Sequence, residues 1–161
     1  MSEILSALVL GIAIGSIYAL IASGLNIIFG VMRIVNFAHG GFIILASYSA
    51  FWAWEFFGIK PLTSLLFVVP MFFVLGWVVY YLTVPRLLEA DDTEMMSLLV
   101  FFGMYIVLEA TMTTVWGART RGIPAPYEST LPGAVSFAGV SIPSTRLLGM
   151  GVALVVIAVL V

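Results

Sequence analysis

Residues 24–42 read GLNIIFGVMRIVNFAHGGF, and the fold turns on this stretch. Apolar sequence runs up to it from Ile4 and away from it to Trp54, yet it holds Asn26, Arg33, Asn36, His39 and glycines 24, 30, 40 and 41. In hydrocarbon a central arginine costs about 2.5–3.5 kcal/mol on insertion scales. Polar, glycine-interrupted backbone at membrane depth persists only where protein buries it or where it lines a wet cavity. The expectation is a broken helix near residues 33–41. Asn26, Arg33, Asn36, His39, Gly40 and Gly41 are then the residues that shape the break or a passage beside it.

The rest of the composition agrees with a membrane setting. Of 161 residues, 63% are hydrophobic and 9% charged, and the mean hydropathy is +1.21. Soluble domains carry about 25% charged residues, so the chain reads as an all-α integral membrane protein, a polytopic helical bundle. The net charge of −2 and six scattered basic residues argue against a nucleic-acid partner. With no cysteine and one histidine, disulfides, thiol chemistry and His/Cys zinc sites are excluded, and no metal site is expected.

About five crossings are expected, over residues 4–23, 40–57, 62–84, 95–116 and 147–161. The first lacks the basic leader of a signal peptide and is read as a retained span. Gly11, Gly15, Ala19 and Ser23 recur every four residues along it, a small-residue face of the kind that lets helices pack closely. Trp52, Trp54, Phe56 and Phe57 beside Glu55 and Lys60 read as an interfacial aromatic belt. Pro70 is expected to kink the third span. The acidic segment around Asp91, Asp92 and Glu94 reads as a solvated turn, with Asp92-Thr93 as a helix N-cap. Residues 117–145 form an extramembrane loop in which VSFAGVSI alternates like a hairpin around Ala138-Gly139. Fifteen residues from Leu147 to Val161 rise about 22 Å, short of the roughly 30 Å hydrocarbon core. The sequence is therefore expected to end inside a span and to be part of a longer protein. Arg119, Arg121 and Arg146 against Arg86 would place the long loop in the cytoplasm by the positive-inside rule.

Over GSIYALIASGLNIIFGVMRIVNFAHGGFIILASYSAF the chain resembles the N-terminal half of LivH-type permeases, the membrane subunits of branched-chain amino acid ABC importers. The residues that carry the resemblance are Gly15, Ser16, Tyr18, Ala19 and Leu20, then Gly24, Leu25, Ile28, Phe29 and Gly30, then Asn36 to Gly40. It is strong over residues 15–51 and weaker through Trp116-Gly117 and VSIPSTRLL. Two residues depart from the family pattern: Gly41, where members often carry an acidic or small polar residue, and Glu109, where a neutral amide is more usual. The basic cytoplasmic coupling segment that follows the fifth span in the family also lies outside this sequence.

The resemblance implies a multi-pass permease of a bacterial or archaeal inner membrane. Its implied partners are a second permease subunit, cytoplasmic ATPase subunits that bind the ATP, a periplasmic or lipid-anchored substrate-binding protein, and membrane lipid. No cofactor is expected on this chain. Family topology places the 117–145 loop outside, against the charge count, and the family is the stronger guide. Closely related permeases carry urea and short amides, which leaves the substrate open.

The polar residues allow several roles. His39 is expected to hold the helix break by a hydrogen bond rather than to touch substrate. Asn26 and Asn36 could satisfy freed backbone groups or a zwitterion in transit. Gly40 and Gly41 would expose N–H groups at a helix start that attracts carboxylate. Arg33 is expected to snorkel to the interface rather than pair with Glu109. Glu109, about 10 Å by helix rise from Trp116, must face protein or a cavity or be protonated. An intramembrane enzyme fails on inventory, with no Asp in a span and no HExxH. A non-transporting scaffold would leave Arg33, Asn36 and His39 unexplained.

Overall fold

The computed structural model describes residues 2–123, 127, 133–137 and 140–160. The elements follow in the order α1 (Ser2–Met32), α2 (His39–Phe57), α3 (Pro61–Leu88), α4 (Thr93–Trp116), β1 (Ala134–Phe137), β2 (Val140–Pro143) and α5 (Ser144–Leu160). Three helical stretches, Ile4–Met32, Pro61–Leu88 and Thr93–Trp116, are long and apolar enough to cross a membrane. The other two expected spans correspond to α2 and α5. Helix α2 has 19 residues, about 28 Å of rise, but His39, Glu55 and its serines dilute its apolar character. Helix α5 is shorter, at 17 residues.

The first helix corrects the expected boundary at residue 23. It runs unbroken through Gly24, Asn26 and Gly30 to Met32. An exposed polar side chain leaves the helical backbone bonded, and an internal glycine costs only about 1 kcal/mol. Neither ends a long apolar helix. Pro70 and Pro85 likewise lie inside α3 without ending it. Helix α4 starts as expected, with Asp92 as N-cap accepting from the Met95 N–H at 3.0 Å.

The described residues fall into two compact units, Met1–Ile27 with Tyr127–Val161 and Ile28–Pro126. In the first, Ala13 and Ser16 are buried, and Gly149 of α5 lies against Ile17. Along the stripe of small residues, Gly11, Gly15 and Ala19 are exposed and Ser23 is half-buried within this chain, and a side-chain carbon added at Gly11 or Gly15 would meet open space. At 100° per residue, Ala13 and Ile17 each lie about 200° around the helix from the stripe glycine two positions before them. The hairpin forms as the alternation predicts, antiparallel with Phe137 opposite Val140. Its turn, Ala138-Gly139, lies outside the described residues.

In the second unit α2 packs on both α3 and α4. Phe37 meets Phe102 edge-on at 6.0 Å, and Tyr48 stacks on Trp116 at 4.7 Å. Between these two contacts Gly41 lies against Tyr105 and Leu108. Contacts that ascend together mean that α2 and α4 run side by side in the same direction, with α3 returning between them. The buried cluster sits at the start of this pair: Ile34, Ala38, Val84, Leu87 and Phe101.

Only one glycine of the adjacent pair makes the close approach. A side-chain carbon at Gly41 would stand 3.2 Å from Tyr105 and 3.4 Å from Leu108, while at Gly40 it would meet nothing. Gly41→Leu should therefore destabilise the protein by about 1–3 kcal/mol through overpacking. Gly40→Leu should leave the melting temperature unchanged or slightly raised, and thermal unfolding of the two purified variants checks the contrast.

Candidate functional site

The interruption occupies Arg33 to Ala38, and the way its backbone is satisfied defines the site. Arg33 adopts the left-handed conformation, φ 52°, which costs a non-glycine residue about 1–2 kcal/mol. It closes α1 by donating its N–H to the Phe29 carbonyl at 2.8 Å. The Val35 N–H then donates to Ser97 Oγ on α4 at 3.0 Å, and Ser97 Oγ donates onward to the Glu94 carbonyl at 2.9 Å. Tight turns follow, Phe37 N–H to the Val35 carbonyl and His39 N–H to the Asn36 carbonyl, both at 3.2 Å. Helix α2 begins at His39, so His39, Gly40 and Gly41 form its first turn rather than part of the break.

This irregular segment is anchored in protein at Ile34 and Ala38, while Arg33 and Phe37 are exposed. Ile34 and Ala38 are 1% and 0% exposed, and Ser97 is 0% exposed. Beside it lies a cavity of about 250 Å³, walled by Ile28 and Met32 of α1, Ile34, Asn36, His39 and Phe42 of the break and α2, Phe72, Leu75, Gly76, Val79, Tyr80 and Val84 of α3, and Phe101 of α4. The wall is mostly apolar. Its principal polar groups come from Asn36, His39 and Tyr80.

Asn36 is the telling member. Its carboxamide oxygen is buried and makes no hydrogen bond. An unsatisfied buried acceptor costs about 1–3 kcal/mol, a cost relieved when a guest with a donor enters. Asn36 and His39 are thus brought together on one cavity.

The other site residues separate from these two. Asn26 is exposed within α1, and Gly40 is exposed in the first turn of α2. Arg33 is exposed and lines an open cleft with Asp91, Asp92 and Glu94 of the turn between α3 and α4. It does not meet Glu109, which lines a different cavity with Tyr48, Tyr105 and Arg119. Sequence reasoning did not single out Ser97; the only signal was a small hydroxyl one turn into an otherwise apolar helix.

Residues 7–161 match the family described as "Branched-chain amino acid transport system / permease component". The high-affinity branched-chain amino acid transport system permease protein LivH of Salmonella typhimurium is 28% identical over 127 residues, covering 73% of this chain and 40% of that protein. The corresponding permease protein BraD of Pseudomonas aeruginosa is 47% identical over 47 residues, 29% of this chain and 15% of that protein. The chain spans less than half the length of these relatives. No solved structure matches it.

Ser97→Ala would strand the Val35 N–H in a buried setting. It should lower stability by about 1–3 kcal/mol, read as a fall in melting temperature. A change of similar size at exposed Ser47, whose hydroxyl bonds only its own helix, should do little.

Proposed function

The chain belongs to the branched-chain amino acid transport permease family, and from that membership we propose that it shapes part of the translocation path of an ABC importer for branched-chain or other hydrophobic amino acids. The family is a transport component, and the multi-pass helical architecture is in keeping with it. In this proposal separate cytoplasmic ATPase subunits bind the ATP, a second permease subunit completes the path, and a periplasmic or lipid-anchored protein delivers the substrate. The assembly sits in a bacterial or archaeal inner membrane, with the break toward the cytoplasm and the 117–145 loop outside.

The observation that carries the proposal is the Asn36 carboxamide oxygen, buried without a partner on an apolar cavity beside a broken helix. A purely structural segment gains nothing from an orphaned acceptor. A path needs a group whose hydrogen bond is made with a passing guest and then given up. The apolar wall suits an aliphatic body, and the lone carboxamide and His39 suit its polar end. Urea or a short amide is the second reading, because an uncharged carboxamide complements another amide. It uses the same oxygen but leaves the aliphatic walls without a role.

Two variants test the path directly. Asn36→Leu removes the orphan and should leave thermal stability equal or higher, while L-leucine uptake by the reconstituted transporter falls at least tenfold. Gly76→Leu grows a side chain into open space on the cavity wall and raises local helix propensity by about 1 kcal/mol. It should also leave assembly intact and block uptake. Normal uptake in both variants would end the proposal.

A further inference from the structure

The second cavity holds a carboxylate from the middle of an apolar helix. Glu109 lies on α4, about 10 Å by helix rise from the Trp116 end, in a helix otherwise apolar enough to span a membrane. A carboxylate at that depth is tolerated against protein or a wet cavity, not against lipid. It lines a cavity of about 240 Å³ together with Tyr48, Tyr105, Thr113, Arg119 and Thr120.

Arg119 reaches this cavity because the chain is turned there and then clamped. Gly117 ends α4 with φ 79°, and its N–H donates to the Thr113 carbonyl at 2.9 Å. Two residues beyond Arg119, the Arg121 guanidinium stacks over Trp52 at 5.2 Å and Phe51 at 5.7 Å. It also donates to the Trp116 carbonyl at 2.9 Å. Arg121 is therefore a strut between the loop and α2. Arg119 is not so engaged: among the described residues it makes no ion pair with Glu109 or any other carboxylate.

We infer that Glu109 and Arg119 are the two poles of a zwitterion-selective site at the loop end of the α2–α4 groove, Glu109 taking an α-ammonium and Arg119 an α-carboxylate. Opposite charges on one cavity that do not satisfy each other are arranged for a guest carrying both. The guanidinium fork matches a carboxylate bidentately, and the hydroxyls of Tyr48, Tyr105, Thr113 and Thr120 supply further donors and acceptors. The site meets α2 at Ile44 and Tyr48, beyond His39 and Phe42 of the Asn36 cavity, and α4 in its C-terminal half. It reads the charged main-chain end of an amino acid, which urea and short amides lack. The inference rests on the permease reading and assigns its specificity to these two residues.

The test is direct binding of L-leucine to the intact transporter in nanodiscs, without the binding protein. Wild type is compared with Glu109→Gln and Arg119→Gln. Each variant should bind L-leucine about tenfold more weakly, the scale of one charge-assisted contact, with a melting temperature equal to wild type. The uncharged 4-methylpentanamide should bind all three alike. Unchanged leucine affinity in either variant, or a loss matched by a fall in melting temperature, overturns the pair. No leucine binding by wild type also overturns it, and L-leucine uptake by the same wild-type preparation, with binding protein added, reports separately whether the permease reading stands.

Discussion

The hydrogen bond from the Val35 N–H to Ser97 Oγ is the contact on which this half of the molecule depends. Six residues leave the helix between α1 and α2, and their backbone groups need partners that the helices no longer supply. Ser97 supplies one partner from α4, and its own hydroxyl proton is spent on the Glu94 carbonyl one turn earlier. That arrangement fixes the rotamer of a fully buried serine and sets the level at which the break meets α4. The remaining contacts follow in register: Phe37 on Phe102, Gly41 on Tyr105 and Leu108, Tyr48 on Trp116. A one-residue slip of α2 that brought Phe42 to the place of Gly41 would drive a ring into Tyr105 and Leu108.

How much of this was legible depended on whether a residue announces its role by type or by position. The break was legible, since Asn36, His39 and two glycines in six residues make poor helix interior and poor lipid-facing sequence. The Asp92 cap and the hairpin were legible from turn and capping chemistry, and the membrane class from composition. The end of α1 was not, because Asn26 and Gly30 look like breakers yet cost a helix little when one face is exposed. The stripe Gly11, Gly15, Ala19 and Ser23 was legible as a pattern, and small residues license close packing without demanding it. Which of two adjacent glycines bears the contact is a matter of 100° of helical rotation, and no single sequence encodes that.

The charged residues make the same point through electrostatics. Arg33 and Glu109 could be paired on paper, since both sit in apolar surroundings. In the fold they face different clefts: Arg33 lies toward Asp91, Asp92 and Glu94, and Glu109 toward Arg119. Attraction between Arg33 and the acidic turn across that exposed cleft is modest and screened by salt. The three loop and break arginines accordingly divide into one at an open acidic cleft, one stacked as a strut, and one lining a cavity with a carboxylate.

Why position 36 carries asparagine is the question that joins the fold to the function. A leucine there would extend the apolar wall and remove a buried, unbonded oxygen worth about 1–3 kcal/mol of lost stability. Residues that lower stability without a packing reason belong to sites where a bond is made only some of the time. Around it, the N–H groups of Arg33, Val35, Phe37, His39 and Phe42 have partners in the chain, whereas the Asn36 carboxamide oxygen has none. In the proposed path, that oxygen is the group left for a guest to bond.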